Sequence, residues 1–328
     1  MALRLGKLPA RKGAVKLLLK NYVDLSRLPT PPTEFGHEGV VVGAWGMLAN
    51  DQWGNCVFAG AAHETMLWRR EVGLPVAFTD AAVLGDYAAL TGFAFTNETD
   101  QGTDMQAAAS YRKKVGIADA AGARHRISAY LAIEAGNLLE HLIGAWLFGA
   151  VGVGVRFPGI AMTQFDAGLP WTPVRGAEID GGHYVPMVAR RGGNSAVVTW
   201  GMEQAMTDAW LAEYNDESIL YLSEEMLSGG RSVDGFDLDH LQADLAALRG
   251  VAQPRSVTVT QDPKLAAAKL AAAVAAIKAE LPNLFPQWEI NLIPNFDQNV
   301  VQLAGAALTA GDRVEEAWQA KQTPQAKP

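Results

Sequence analysis

Apolar and polar positions along the 328-residue chain repeat with different periods in different segments. From Asn55 onward, Val57, Phe58, Ala61, Met66 and Leu67 recur with small residues between them, which predicts a buried helix of about four turns beginning at Cys56. In "GTDMQAAASYRKKVGI", Met105, Ala108, Ala109 and Val115 lie at helical spacing, Thr103 or Asp104 supplies an N-cap, and Gly116 stops the run. A third helix is expected in "YLAIEAGNLLEHLIGAWLFG". It leads into "AVGVGVRF", a strand near 150–157, followed by strands in "GGHYVPMVARR" from 181 and "SAVVTWG" from 195, which the turn sequence "GGN" joins as a hairpin. Helices first and antiparallel strands afterwards is the α+β order.

The flanks differ from this middle. Pro29, Pro31 and Pro32 in "RLPTPPTEF" forbid regular helix and favour an extended path, so residues 1–33 are expected as an extended N-terminal arm. Beyond about residue 230 the composition turns to Ala-rich helix, "DPKLAAAKLAAAVAAIKAEL", with Pro263 near its start and Pro282 at its end. Residues 34–230 then hold the packed domain and 231–328 a helical C-terminal appendage. Neither flank has the apolar periodicity of a core of its own, so each is expected to wrap the body or dock on another subunit, a homo-oligomer included.

Composition narrows the function. With 49% hydrophobic and 19% charged residues the chain has the balance of a soluble globular protein. Its net charge of -8 gives no general reason to bind nucleic acid or an anionic membrane, and the tryptophans are not interleaved with basic residues as a stacking platform requires. The first twenty residues are the exception, with six Lys or Arg and no acid: a solvated terminus or a docking arm for an acidic partner. The longest apolar run, Leu142–Val155, has 14 residues with four glycines, too short for a membrane span. Arg4, Lys7, Arg11, Lys12 and Lys16 interrupt the place where a secretory signal would need its apolar core. One cysteine excludes an internal disulfide. Neither a His-Glu-x-x-His, a Cys-x-x-Cys, an Asp-rich loop nor a phosphate loop is present, so no metal, nucleotide or other cofactor is expected.

The chemistry that stands out is a thiol. A thiolate is the nucleophilic form, and a helix N-terminus and a neighbouring imidazolium both stabilise it. Cys56 has the first by position, and His183, after two glycines at the start of a strand, is the candidate for the second. A lone Cys is more often a small core residue and a strand-end His more often a structural hydrogen-bonding group, and the residues alone leave both readings open. His63 lies seven residues after Cys56, about 10 Å of helical rise, too far for a direct pair. His37, His125, His141 and His240 are expected at the surface or in loops.

"NDQWGNCVFA" resembles the nucleophile segment of papain-like cysteine peptidases, in which an amide residue and a glycine precede a Cys at the start of the central helix. "GTDMQAAASYRKKVGI" looks like that family's second helix, "FPGIAMTQFDAGLPW" like the stretch before its His, and "GGHYVPMVARRGGNSAVVTWG" like its His strand and the following Trp-Gly. The resemblance covers about residues 40–225 and implies a papain-like fold, a helical subdomain plus an antiparallel sheet. It further implies Cys56 as nucleophile, His183 as base, and an oxyanion hole from the Cys56 N–H with Asn50, six residues earlier, or Gln52. The substrate would be a peptide, a protein or a related amide. One departure is plain: the family's ring-holding Asn sits just before the Trp-Gly pair, where this chain has Val198 and Thr199. Thr199, sixteen residues after His183, is the expected substitute, with Asn194, Glu203 and Gln204 nearby. The Asp-Gln-x-Gly-Asn-Cys run and Thr-Trp-Gly are also similar to proteins of phage and prophage genomes. That resemblance implies an alternative, a non-catalytic structural or adaptor module assembled through its termini in a virion, and a location that is cytoplasmic or virion-associated.

Overall fold

A computed structural model describes residues 3–23, 28, 30–36, 39, 44–223, 236 and 238–248. His37, the Ala-rich stretch and most of the expected appendage lie outside them. The helices are α1 (Cys56–Glu71), α2 (Asp80–Thr91), α3 (Met105–Lys114), α4 (Leu138–Phe148), α5 (Ile160–Asp166), α6 (Asp208–Tyr214) and α7 (Leu238–Leu248), with a 3-10 turn at Leu19–Asn21. The strands are β1 (Phe35–Gly36), β2 (Ile117–Ala118), β3 (Arg124–His125), β4 (Ile127–Ile133), β5 (Val151–Pro158), β6 (Ile179–Arg191), β7 (Asn194–Thr199), β8 (Met202–Met206) and β9 (Asn215–Ser223). Among the described residues the main sheet is antiparallel, in the order β4-β9-β5-β6-β7-β8 with β1 also on β6, and β2 and β3 form a small hairpin ladder of their own. Helices and antiparallel sheet together make the α+β architecture.

Local chemistry explains most boundaries. Asp104 caps α3 by accepting from the Ala107 N–H, and the hairpin between β6 and β7 turns on Gly192 and Gly193, both with positive φ. Two elements differ from the sequence expectation. The stretch expected as one long third helix begins as β4, whose positions alternate between buried and half-buried, and turns helical only after Gly136 and the N-cap Asn137. Apolar residues on both sides of that break hide the change of period. In addition, α2 is a full helix, capped at Thr79 and closed by Gly92 in the left-handed region, that the sequence reading passes over.

The sheet buries both faces. On β6, Val185 and Met187 face a core shared with α4, Trp171 and Trp210, whereas Tyr184 and Val188 face a second core shared with α1 and α3. Helix α1 is buried along its length from Cys56 to Thr65: Cys56, Val57, Leu67 and Trp68 meet the sheet, and Phe58, Ala59, Ala61 and Ala62 meet α2. It can lie this close because Gly60 has no side chain, since a Cβ there would sit 2.4 Å from the Tyr184 ring. One turn on, Glu64 accepts from Tyr184 Oη at 2.5 Å and pairs with Arg112 of α3 at 2.6 Å, all three side chains being buried. Arg112 in turn lies over the Tyr221 ring at 4.1 Å. This charged cluster ties α1, α3 and the sheet together.

The arm is part of this body. Leu19, Tyr22 and Val23 join the first core, Leu18 bridges Ala132 beside β4, and Tyr22 donates to Asp244 on α7, while Leu241 of α7 is buried in the same core. His125 and His141, expected at the surface or in loops, are instead buried in β3 and α4: His125 binds Asp119, and His141 lies between Asn137 O and Ser218 Oγ. Only their neighbours in space, not in sequence, carry that information. No helix of the described residues is long and apolar enough to cross a membrane.

Candidate active site

Cys56 opens α1 with its side chain 2% exposed. The loop before it is built from polar contacts: Asn55 Nδ2 donates to Leu48 O, and the Gly54 N–H donates to both oxygens of Asp100 at 3.1 and 2.9 Å. Asp100 also accepts from Tyr87 Oη at 2.6 Å, and that hydroxyl accepts from the Gly102 N–H. Leu48 and Ala49 both have positive φ, an arrangement the surrounding contacts hold in place. Backbone hydrogen bonding from Tyr184, Gly6 and Val57 reaches the thiol and favours its ionised form, yet burial outweighs it and pushes Cys56 up to about 11. The stabilised thiolate expected from the helix end is therefore not the state of the structure.

His183 lies on β6, next to Tyr184, whose backbone touches Cys56. Its Nε2 is 2.8 Å from Thr199 Oγ1 on β7, its ring stacks on Trp200 with centroids 4.5 Å apart and planes 16° from parallel, and Phe157 meets it edge-on. Trp200 holds that position with φ at 45°, a left-handed conformation costly for a tryptophan and followed by Gly201 at 74°. The other ring nitrogen, Nδ1, is buried without a hydrogen-bond partner among the described residues. Burial alone lowers His183 to about 3. The ring is thus neutral and fixed by Thr199, Trp200 and Phe157.

The remaining candidates are spread out. Asn50 is buried and donates from Nδ2 to Trp53 O at 3.0 Å inside its own loop; Gln52 is exposed in the same turn. Of the substitutes considered for the ring-holding residue, Glu203 accepts from Trp45 and Gln204 donates to Leu169 O and Ala205 O, while Asn194 pairs with Arg191 at the hairpin end. His63 reaches Gly46 O, and burial lowers it to about 4. Among the described residues no cluster of His, Cys, Asp or Glu could hold a metal.

What the sequence did not reveal is what covers Cys56. The Gly6 and Lys7 N–H groups both donate to Gly182 O, at 3.1 and 2.9 Å; Thr103 N–H donates to Gly6 O at 2.7 Å; Leu8 N–H donates to Thr103 O; and Trp200 Nε1 donates to Arg4 O. The arm therefore runs past Cys56 in an extended, hydrogen-bonded track between the start of α3 and the start of β6. Glycines make the track: a Cβ on Gly102 would lie 2.3 Å from Gly6 O, one on Gly182 2.2 Å from Lys7 O, and one on Gly6 1.8 Å from Gly54 O. The run of glycines at 6, 54, 102, 181 and 182 was the available signal, but nothing in the chain's order says that they converge.

No family model matches the sequence, and no curated protein matches it. Among solved structures, xylellain, a cysteine protease from Xylella fastidiosa, is similar with a TM-score of 0.53 at 11% identity, over 67% of this chain and 96% of that one. A procathepsin B from Trypanosoma congolense gives 0.48 at 12% identity over 67% and 86%, and a cysteine protease of Carica candamarcensis 0.44 at 13% over 58% and 98%. At such identities likeness speaks for the fold, and the xylellain match carries it. With the helix-borne cysteine, the strand-borne histidine and the antiparallel sheet behind them, the chain has the papain-like cysteine protease fold.

Proposed function

We propose that the protein is a cysteine peptidase or amidase acting by acyl transfer, held closed by its own N-terminal segment. The observation that carries this reading is the histidine: Nε2 is anchored on Thr199, the ring is clamped by Trp200, and Nδ1 is left without a partner. His63 also keeps a buried Nδ1 without a partner, so the open nitrogen supports this reading only together with the Thr199 anchor, the Trp200 clamp and the place of His183 next to Tyr184, whose backbone touches Cys56. With the arm displaced, Nδ1 takes the Cys56 proton, the sulfur attacks an amide carbonyl, and the tetrahedral oxyanion is held by the Cys56 N–H with Asn50 or Gln52. Collapse expels the amine, which takes the proton from His183; water then releases the acyl group by the same steps in reverse. Thr199 is a positioning residue that keeps the ring in register.

The closed arrangement accounts for the unusual acidities. Burial disfavours both charged forms, so a thiol near 11 and an imidazole near 3 are both neutral in the closed state. Hydration after the arm leaves brings the two toward each other. The same burial favours a second reading, a non-catalytic papain-like adaptor in which the arm never leaves. Labelling with a peptidyl acyl-enzyme mimic distinguishes the two: time-dependent modification of Cys56 that His183→Ala abolishes supports the enzyme, and an inert thiol after the arm has been displaced supports the adaptor.

A further inference from the structure

Residue 7 of the arm fills a chamber of its own. The Lys7 side chain is 1% exposed, and Nζ lies 3.0 Å from Asp216 Oδ1, 3.0 Å from Oδ2 and 3.2 Å from Glu217 Oε1, with Leu8 O as a further acceptor at 3.0 Å. The wall is shaped for the alkyl stem: at Gly154 of β5 a Cβ would sit 2.3 Å from Lys7 Cε and 2.5 Å from Met105 Sδ. Gln106 donates to the other Glu217 oxygen at 3.3 Å, and its own Oε1 is buried without a partner among the described residues. Asp216, Glu217 and Gln106 also line an adjoining cavity of about 220 Å³. Further along, Arg11 makes a two-pronged pair with Asp104 at 2.6 Å. When the arm leaves, Asp104, Asp216 and Glu217 lose both cations at once, while the glycine-lined backbone track stays.

With the arm gone, three carboxylates of one sign face the track at short range, a concentration of negative charge that a returning cation relieves. Gly182 O and Thr103 O accept from the arm's N–H groups and the Thr103 N–H donates to Gly6 O, backbone hydrogen bonds that any extended peptide can make. We infer that this chamber is a specificity site selecting peptide or protein substrates with a lysine or arginine one residue away from the backbone lying over Cys56, with Asp216 and Glu217 as the selecting residues. The inference rests on the proposal that the cleft receives peptides.

The test uses the full chain with Gly6→Ala to unseat the arm and Cys56→Ser to prevent turnover, and reads fluorescence polarisation with three labelled peptides that differ only in lysine, norleucine or glutamate at one position. The expected result is a lysine peptide bound at least roughly tenfold more tightly than norleucine, glutamate weakest, with the lysine preference gone in Asp216→Asn/Glu217→Gln, in line with one charge-assisted hydrogen bond. Equal affinity for lysine and norleucine, a preference that survives the double substitution, or no peptide binding overturns the inference. If Gly6→Ala does not fold, Lys7→Glu unseats the arm by like charge and is measured in the same way. Turnover of the lysine peptide by the chain retaining Cys56 is read separately: selective binding without turnover removes the peptidase reading and keeps the basic-side-chain site, whereas turnover without lysine preference does the opposite.

Discussion

Gly6→Ala isolates the arm's contribution to the state of the thiol. An alanine Cβ at this position would lie 1.8, 2.2 and 2.4 Å from Gly54 O, C and Cα, which are backbone atoms that no side-chain rotation can move aside. The Gly54 loop is itself held by Asp100. The arm must therefore lift between residues 4 and 8, while Leu19, Tyr22 and Val23 keep it attached to the core. With Cys56 at about 11, the thiolate at pH 7.5 is roughly one molecule in 3,000, since the gap is 11 − 7.5 = 3.5 units. Rehydrated to the roughly 8.5 of a free thiol it is about one in eleven, a gain of about 300-fold. Thiolates of lower pKa are weaker nucleophiles, with a Brønsted coefficient of about 0.4–0.5, which over 2.5 units returns about 10- to 18-fold. The net acceleration from ionisation is then roughly 15- to 30-fold, before any gain from access. Because Cys56 is the sole cysteine, reaction with a coloured disulfide reagent such as dithiodipyridine reports on it alone. The rate should rise at least by that factor, and the pH midpoint should fall by two or more units. A Gly6→Ala chain that is folded and reacts as slowly as the parent would refute the plugged-cleft account, as would a parent already fast at pH 7.5.

Other perturbations probe the scaffold and the pair. Thr199→Val leaves both His183 nitrogens buried and unpartnered, and should cost about 1–3 kcal/mol in urea unfolding, with Thr199→Asn recovering part of it. Glu64→Gln or Arg112→Met alone should destabilise by about 3–5 kcal/mol by stranding a buried charge, and the double replacement by less than the sum, as a double-mutant cycle on unfolding midpoints will read. Gly60→Ala, which helix propensity alone favours by about 1 kcal/mol, should destabilise instead, because its Cβ meets a Tyr184 ring fixed by Glu64; a raised melting temperature would contradict this packing. His63, His141 and His183 are held at about 4, 4 and 3, below the 6.5 of an unfolded histidine, so the unfolded chain binds more protons below 6.5 and stability is lost as the pH falls from there toward the folded values. At pH 5 each contributes a loss of about 2 kcal/mol, and denaturant midpoints equal at pH 7.5 and pH 5 would disprove it.

The sequence by itself determined what depends on near neighbours. The helix starting at Cys56, the Asp104 cap, the glycine hairpin before Asn194 and the α+β order all follow from residues within a few positions of one another, where capping, φ preference and apolar period act. The proposal that Cys56 works with His183 came only through resemblance, because 127 residues separate them and no local rule measures that gap. Tertiary structure decided the rest. It selected Thr199 rather than Glu203 or Gln204 for Nε2, because adjacent antiparallel strands bring residue 199 beside residue 183 while the other two are spent on Trp45 and the Leu169 turn. It set the acidities of Cys56 and His183, since desolvation depends on everything packed around a group and not on its position in a helix. It also laid the start of the basic arm, residues 6 to 8, over Cys56, while Arg11, Lys12, Lys16 and Lys20 stay exposed as a solvated end would. Lys7 is an ordinary surface lysine until folding sets Asp216 and Glu217, more than two hundred residues away, at the bottom of the chamber it enters.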